Sequence, residues 1–409
     1  MKPWNTIGHK LFVPVMSLFS SKGFFGGTEK TFSNRQIRIA VSAFFFCQGI
    51  AFASWASRIP DIKSKLLLTD AALGSLLLLL PAGQLIAMPF SGRLVTRFGS
   101  KKVLRICAVL YVICLTNLGL AAQSWHLALG LFLFGVCGNM CNISVNTQAI
   151  RAEKLYGRPI MTSFHGVWST AGFAGAAIGL LMMSQHITPY VHFWIVAALV
   201  IMIILVSQKY LQWGRSSVAI EKRSFFSKPD GVLMQLGIIG FVSMASEGAM
   251  FDWSGVYFQD VVRAPKSYIA LGYLCFMTAM ASGRFAGDRL IARLGRKKML
   301  RISGILISSG LFISVLFPHI ISATLGFLVV GFGVSSIVPM VYSAAGKHTK
   351  IPAGIALASV SSISFLGFLI GPPLIGYIAE ILSLRYSFAV IGLLGISISL
   401  MVSKIKVLD

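Results

Sequence analysis

The apolar residues of this chain fall into blocks of about 20, separated by short polar stretches, and that spacing leaves few folds open. About 20 apolar residues in a helix cross the roughly 30 Å hydrocarbon core of a bilayer. A transmembrane β-barrel would instead show alternating segments of about ten residues, and uninterrupted runs such as 195–206 exclude it. Twelve spans are predicted, at 36–57, 71–91, 103–122, 126–149, 161–184, 190–208, 232–258, 268–287, 300–317, 320–344, 353–378 and 385–403. Only 12% of residues are charged, against about a quarter in soluble proteins. The expected fold is an all-α membrane protein, twelve transmembrane helices in two six-helix bundles. Residues 1–34 form an N-terminal extension, 35–208 the first bundle, 209–231 a central loop and 232–409 the second bundle.

The formal net charge is +24. In a soluble chain that would point to nucleic acid, but here the basic residues lie between the apolar blocks and report topology. With the N-terminus inside, the inside segments hold 30 Lys and Arg and the outside segments 6. Both termini are therefore expected in the cytosol, with the protein in a bacterial inner membrane, its partners the bilayer and a small solute but no nucleic acid. Lys2 and Lys10 precede a short apolar stretch at 11–19, an order that imitates a signal peptide. It is too short to span and contains Pro14, so a loosely ordered cytosolic extension is expected. The six cysteines, Cys47, Cys107, Cys114, Cys137, Cys141 and Cys275, all lie inside apolar blocks without metal-ligand spacing, and read as small buried hydrophobes.

An internal repeat divides the chain. Residues 92–106, GRLVTRFGSKKVLRI, match 288–302, DRLIARLGRKKMLRI, at nine of fifteen positions with an offset of 196. Each copy follows the second span of its half. Gly175 and Gly371, both in fifth spans, keep the same offset. Fused parallel halves are an architecture that places a solute site at the repeat interface near the midplane.

The repeated segment resembles the signature loop of the major facilitator superfamily, Gly-x-x-x-Asp-Arg-x-Gly-x-basic-basic. Gly92, Arg97, Gly99, Lys101 and Lys102 match it in the first copy, and Arg293, Gly295, Lys297 and Lys298 in the second. Thr96 and Ala292 stand where the family has Asp, and Asp288 replaces the first Gly. The resemblance implies a gating role for Gly92, Arg93, Arg97, Gly99, Asp288, Arg289, Arg293 and Gly295; simple charge anchoring is the alternative, of equal weight for the lysines. Four further stretches are similar to the YbjJ-type inner-membrane branch, distantly fucose-permease-like: 53–60 with Trp55, Arg58 and Pro60; His165-Gly166 with the glycines to Gly179; 246–253 with Glu247, Asp252 and Trp253; and 371–376 with Pro372-Pro373. No acid occupies the fourth span, which departs from a fucose-type coupling. The proline pair lies in the eleventh span and not the fifth, which departs from drug/proton antiporters.

Glu247 carries the most weight among candidate residues. It lies well inside the seventh span, where a charge costs about 2.5–3.5 kcal/mol even on insertion scales. Such a carboxyl can carry a coupling proton, or it can be a structural group bonded to Ser243 one turn earlier. Asp252, about 7.5 Å further along the axis, and His165, of a residue type that titrates in the physiological range, are the other proton-coupling candidates. Asn139, Asn142 and Asn146 share one helix face and line a cavity or bond to neighbouring helices. Gln48, Trp55 and Trp253 complete the substrate-binding candidates. Arg58, near the outer end of the first span, pairs with an acid or steers an anion. The glycines at 166, 172, 175 and 179 permit close helix packing.

No GxxxxGK[ST] loop for nucleotides, no metal cluster and no nucleophile–base set stands out. No cofactor and no enzyme activity are expected. The leading expectation is a monomeric secondary transporter of a small, polar solute, working by alternating access with possible proton coupling. Efflux of drugs or metabolites is the alternative within transport, and a non-transporting receptor or scaffold is the alternative of another class.

Overall fold

The computed structural model describes residues 32–157, 160–213, 231–346 and 353–405. The extension at 1–31 and most of the central loop lie outside the described residues. Twelve helices are long and apolar enough to cross a membrane: α1 Asn34–Ser57, α2 Asp70–Phe98, α3 Ser100–Leu120, α4 Ser124–Tyr156, α5 Ser163–Ser184, α6 Pro189–Tyr210, α7 Gly231–Asp260, α8 Lys266–Gly287, α9 Arg296–Leu316, α10 Ile320–Gly346, α11 Ser359–Ile381 and α12 Leu384–Ser403. Among the described residues there is no strand. In hydrocarbon every backbone polar group must be satisfied within its own segment, which a helix does and an open strand does not.

The helix ends follow local chemistry. Ser33 and Gln36 form a reciprocal capping box at the start of α1. Thr188 caps α6, whose first residue is Pro189. Several helices overrun the predicted spans on the face that carries the described chain ends, here the terminal face. Helix α2 continues to Phe98 and α8 to Leu294. The repeated segment is therefore helical over most of its first half, a correction to a loop beginning at Gly92. The turn itself is one residue: Gly99 at φ 84°, ψ 143° and Gly295 at φ 78°, ψ 156°, a region that side chains beyond glycine avoid.

Successive helices alternate in direction, so an even number of crossings returns the chain to the terminal face. Contacts agree: the Asn34 amide donates to the Leu155 carbonyl, Gln148 pairs with the backbone of Gln212, and Lys101 donates to the Lys209 carbonyl. Within each half, small residues bring backbones together. A Cβ at Gly175 would sit 2.7 Å from Ala53 and 3.0 Å from the Ile50 carbonyl, so α5 packs directly on α1. Gly304 and Gly395 do the same for α9 and α12. Without a hydrophobic driving force between helices in lipid, such close packing is a main source of association.

Candidate functional site

The two halves meet at three levels. At the far face, Lys63, in the short helix Ile59–Lys65, lies 2.6 Å from Asp70 of α2 and 2.5 Å from Asp260 of α7. Burial lowers the Lys63 ammonium's proton affinity, but hydrogen bonds and charge from the two aspartates outweigh it and raise its pKa above the ordinary value. Gln259 donates to Ser64, Glu380 accepts from the Ala71 amide, and Ser75 bonds Tyr377 at 3.0 Å. Beneath them α2 and α11 touch backbone to backbone: a Cβ at Gly74 would lie 2.8 Å from the Pro372 carbonyl and 3.1 Å from Gly376. The Gly-Pro-Pro segment thus forms part of the far-face seal.

One level deeper, aromatic rings close the interface. Phe52 of α1 meets Phe251 of α7 edge-on at 5.4 Å and approaches Trp168 of α5 at 6.3 Å. Phe251 also contacts Tyr273 and Phe276 of α8 and stacks with Phe368 of α11. This layer is aromatic on both sides of the interface.

At mid-depth lies the polar centre. Glu247 is sixteen residues from the start of α7, about 24 Å along the axis and one helical turn below Phe251. Its carboxylate accepts from Arg284 of α8 at 3.2 Å, with side-chain exposures of 9% and 28%. Arg284 also donates to Ser169 of α5 at 2.9 Å, in the other half, and its guanidinium lies 6.0 Å from the Trp168 ring. Ser169 Oγ in turn donates to the His165 carbonyl. One arginine therefore ties an acid in the second half to a hydroxyl in the first. The arrangement binds charge, can hold or release a proton at Glu247, and has no nucleophile–base pair for covalent chemistry.

The structure brings some of the sequence candidates here and not others. Glu247 is at the centre, but its partner is Arg284 and not Ser243, whose buried hydroxyl has no hydrogen-bond partner among the described residues. His165 is exposed near the terminal-face start of α5, edge-on to Phe45 at 5.4 Å. Asp252 is half-buried near Tyr273, with no ion pair among the described residues. Asn142 is exposed and Asn146 half-buried, whereas Asn139 accepts from Ser91 of α2 at 2.8 Å and so joins two helices. Gln48 likewise donates to the Gly138 carbonyl of α4. Trp55 and Trp253 are wholly enclosed, so in this conformation neither presents a face to a solute.

The repeated segment sorts in the same way. Gly99 and Gly295 make the turns, while Gly92, Arg93 and Arg97 lie on α2 and Arg289 and Arg293 on the continuation of α8. The Asp288 side chain lies outside the described residues. Thr96, in the usual Asp position, donates to the Gly92 carbonyl of its own helix. Lys101 is 5% exposed and sits 4.6 Å from the Trp213 ring, anchoring the end of α6. Arg284 was not among the candidates. It lies four residues before the basic repeat, among the inside charges, and its place inside the eighth span is the signal the sequence offers.

The sequence profile of the Major Facilitator Superfamily matches residues 39–354 and again 238–407. The chain belongs to this superfamily. An uncharacterized MFS-type transporter of Yersinia pestis is 34% identical over 355 residues, 87% of this chain and 92% of that protein. The uncharacterized transporter y4wD of Sinorhizobium fredii is 35% identical over 367 residues, 90% and 97% respectively. Among solved structures, the nucleoside transporter NupG (D323A mutant) superposes with a TM-score of 0.76 at 12% identity, over 90% of this chain and all of that one. A bacterial homolog of the human lysosomal transporter Spinster, in an inward-facing and occupied conformation, gives 0.70 at 13% identity over 93% and 98%. At these identities the structures support the twelve-helix fold alone. The chain is an integral membrane transporter of the superfamily and not an enzyme.

Proposed function

We propose that this transporter moves a small polar solute by alternating access, with Glu247 carrying a coupling proton. The observation behind this reading is the Glu247–Arg284–Ser169 chain, which joins the two halves at mid-depth. The 30:6 distribution of basic residues supports a cytosolic terminal face; in this reading both termini lie there and the protein is a monomer in the inner membrane. The described conformation is then sealed toward the outside by the Lys63 clamp and the aromatic layer. The bundles 35–208 and 232–409 rock about the centre, linked by the cytosolic segment 209–231.

Charge logic supplies the coupling. While Glu247 is ionised it neutralises Arg284. A proton on Glu247 removes that partner and leaves the guanidinium to a solute acceptor or to Ser169 alone. Such a shift changes the relative energies of the two orientations, which is what a ligand must do to move an equilibrium. Asn142, Asn146 and His165 offer polar contacts on the cytosolic side of Arg284, and Trp168 an aromatic face.

The test has two steps. A thermal-shift screen of the purified protein against metabolites identifies a stabilising solute by mass action. Uptake of that solute into proteoliposomes is then measured with and without a pH gradient. Glu247→Gln is expected to keep counterflow but lose pH-driven accumulation. Accumulation unchanged in this variant would reject Glu247 as the proton carrier, and the direction of flux under the gradient separates uptake from efflux.

A further inference from the structure

A cavity of about 490 Å³ opens on the far face, away from the polar centre. Its walls include Arg58, Asp61, Lys65, His186, Tyr190 and Lys266. Three permanent cations and one carboxylate give it a positive lining. Arg58 is 1% exposed. Its Nε lies 2.9 Å from Asp61 and one Nη donates to the Ile187 carbonyl, but Nη1 is buried without a hydrogen-bond partner among the described residues. A guanidinium presents five donors in a planar fork, and a buried N–H left without an acceptor is destabilising. A charged group held in the wall of a cavity with a donor unspent is the arrangement expected when an acceptor completes the set.

The surroundings agree with an anion. Burial pushes the Asp61 carboxyl up, and the charges of Arg58 and Lys266 offset part of that shift, so Lys266 lies within electrostatic reach of this pair. His186, at φ 55°, occupies a left-handed position that usually falls to glycine after a helix. Its side chain is exposed. Leu120 and Met183 add apolar wall. The volume is that of a small-molecule pocket of about 300–1,000 Å³, larger than a bare inorganic ion needs. Arg58, Lys65 and His186 belong to the first half, and Lys266 begins α8 of the second.

We propose that this cavity is a binding site for a small organic anion, a carboxylate or phosphate ester, arriving from the far side. The anion is held by Arg58, Lys65 and Lys266 and bridges the two halves beside the Lys63 clamp. Occupancy favours the conformation closed on that face, because the bridge exists only while the halves are together. The site is separate from Glu247 and does not rest on proton coupling.

Full-length protein in phosphatidylcholine nanodiscs is titrated with citrate at pH 7, with sodium chloride at matched ionic strength as the control. Thermal unfolding and amide hydrogen exchange over residues 59–77 are followed. A saturable rise in Tm and slower exchange over 59–77 are expected with citrate. Both lysines are exposed, so K65Q/K266Q should fold, and it is expected to weaken the apparent affinity at least tenfold. No saturable shift, or an equal shift in K65Q/K266Q, overturns the proposal. So does lysine-dependent stabilisation by phosphatidylglycerol nanodiscs with no citrate effect, which would make the pocket a lipid headgroup site.

Discussion

At the scale of single residues, the centre of this transporter is an ion pair with a third contact. Glu247 alone in hydrocarbon would be costly, and Arg284 lowers that cost while reaching Ser169 across the interface. Removing one partner strands the other. Arg284→Gln is expected to destabilise the protein by about 1–3 kcal/mol, less than the 3–5 typical of a fully buried pair because the arginine is partly exposed. The double variant E247Q/R284Q is expected to recover most of the lost Tm, measured in detergent by intrinsic fluorescence. A double variant no more stable than R284Q would show that the pair is not coupled. Glu247 was legible in the sequence because an acid inside an apolar block stands out. Arg284 was not, because a cation near a basic loop is indistinguishable from topology signal until the helix register is known. Trp55 and Trp253 are substrate-binding candidates from the sequence, and in the described conformation packing encloses both.

At the scale of elements, close helix contacts do two jobs. Gly175 and Gly179 pack α5 on α1 within one half, while a Cβ at Gly166 would lie 3.0 Å from Phe285 of α8, in the other. The α2–α11 contact at Gly74 and Gly376 belongs to the far-face seal. A Cβ at Gly376 would lie 3.0 Å from Gly74 Cα and meet backbone that cannot rotate away. Gly376→Val is therefore expected to hold the far ends of α2 and α11 apart and to speed amide exchange over residues 70–78. Unchanged exchange there would mean the helices accommodate the side chain by sliding. The existence of these helices was plain from the apolar blocks; which glycine faces which helix was not, since a stripe on one helix does not name its partner. Each copy of the repeat holds a turn, but the turn begins later than expected, because the helices continue past the predicted spans until Gly99 and Gly295 end them.

At the scale of the molecule, the described conformation is held on one side by charges that join the halves. Lys63 between Asp70 and Asp260 is the chief clamp. Its pKa is raised above the ordinary 10.5, so its contribution is fully present at lower pH and is lost as pH rises through the raised value. The Tm difference between wild type and Lys63→Gln is expected to stay constant from pH 7 to about 10 and to close above that. A difference already shrinking at pH 8 would place the stabilisation elsewhere. Removing the clamp is expected to favour opening of the far face, and each loss of about 1.4 kcal/mol there would shift that equilibrium about tenfold.

The sequence by itself determined the solvent, the number of crossings, the duplication and the family. Those properties depend on composition, block length and a repeated segment, all of which are local in the chain. Only the tertiary structure decided that Glu247 meets Arg284, that Arg284 reaches Ser169, and that Arg58 lines a cavity with a donor unspent. Each depends on the rotation of one helix about its axis relative to another, which side-chain packing sets and apolar composition does not encode.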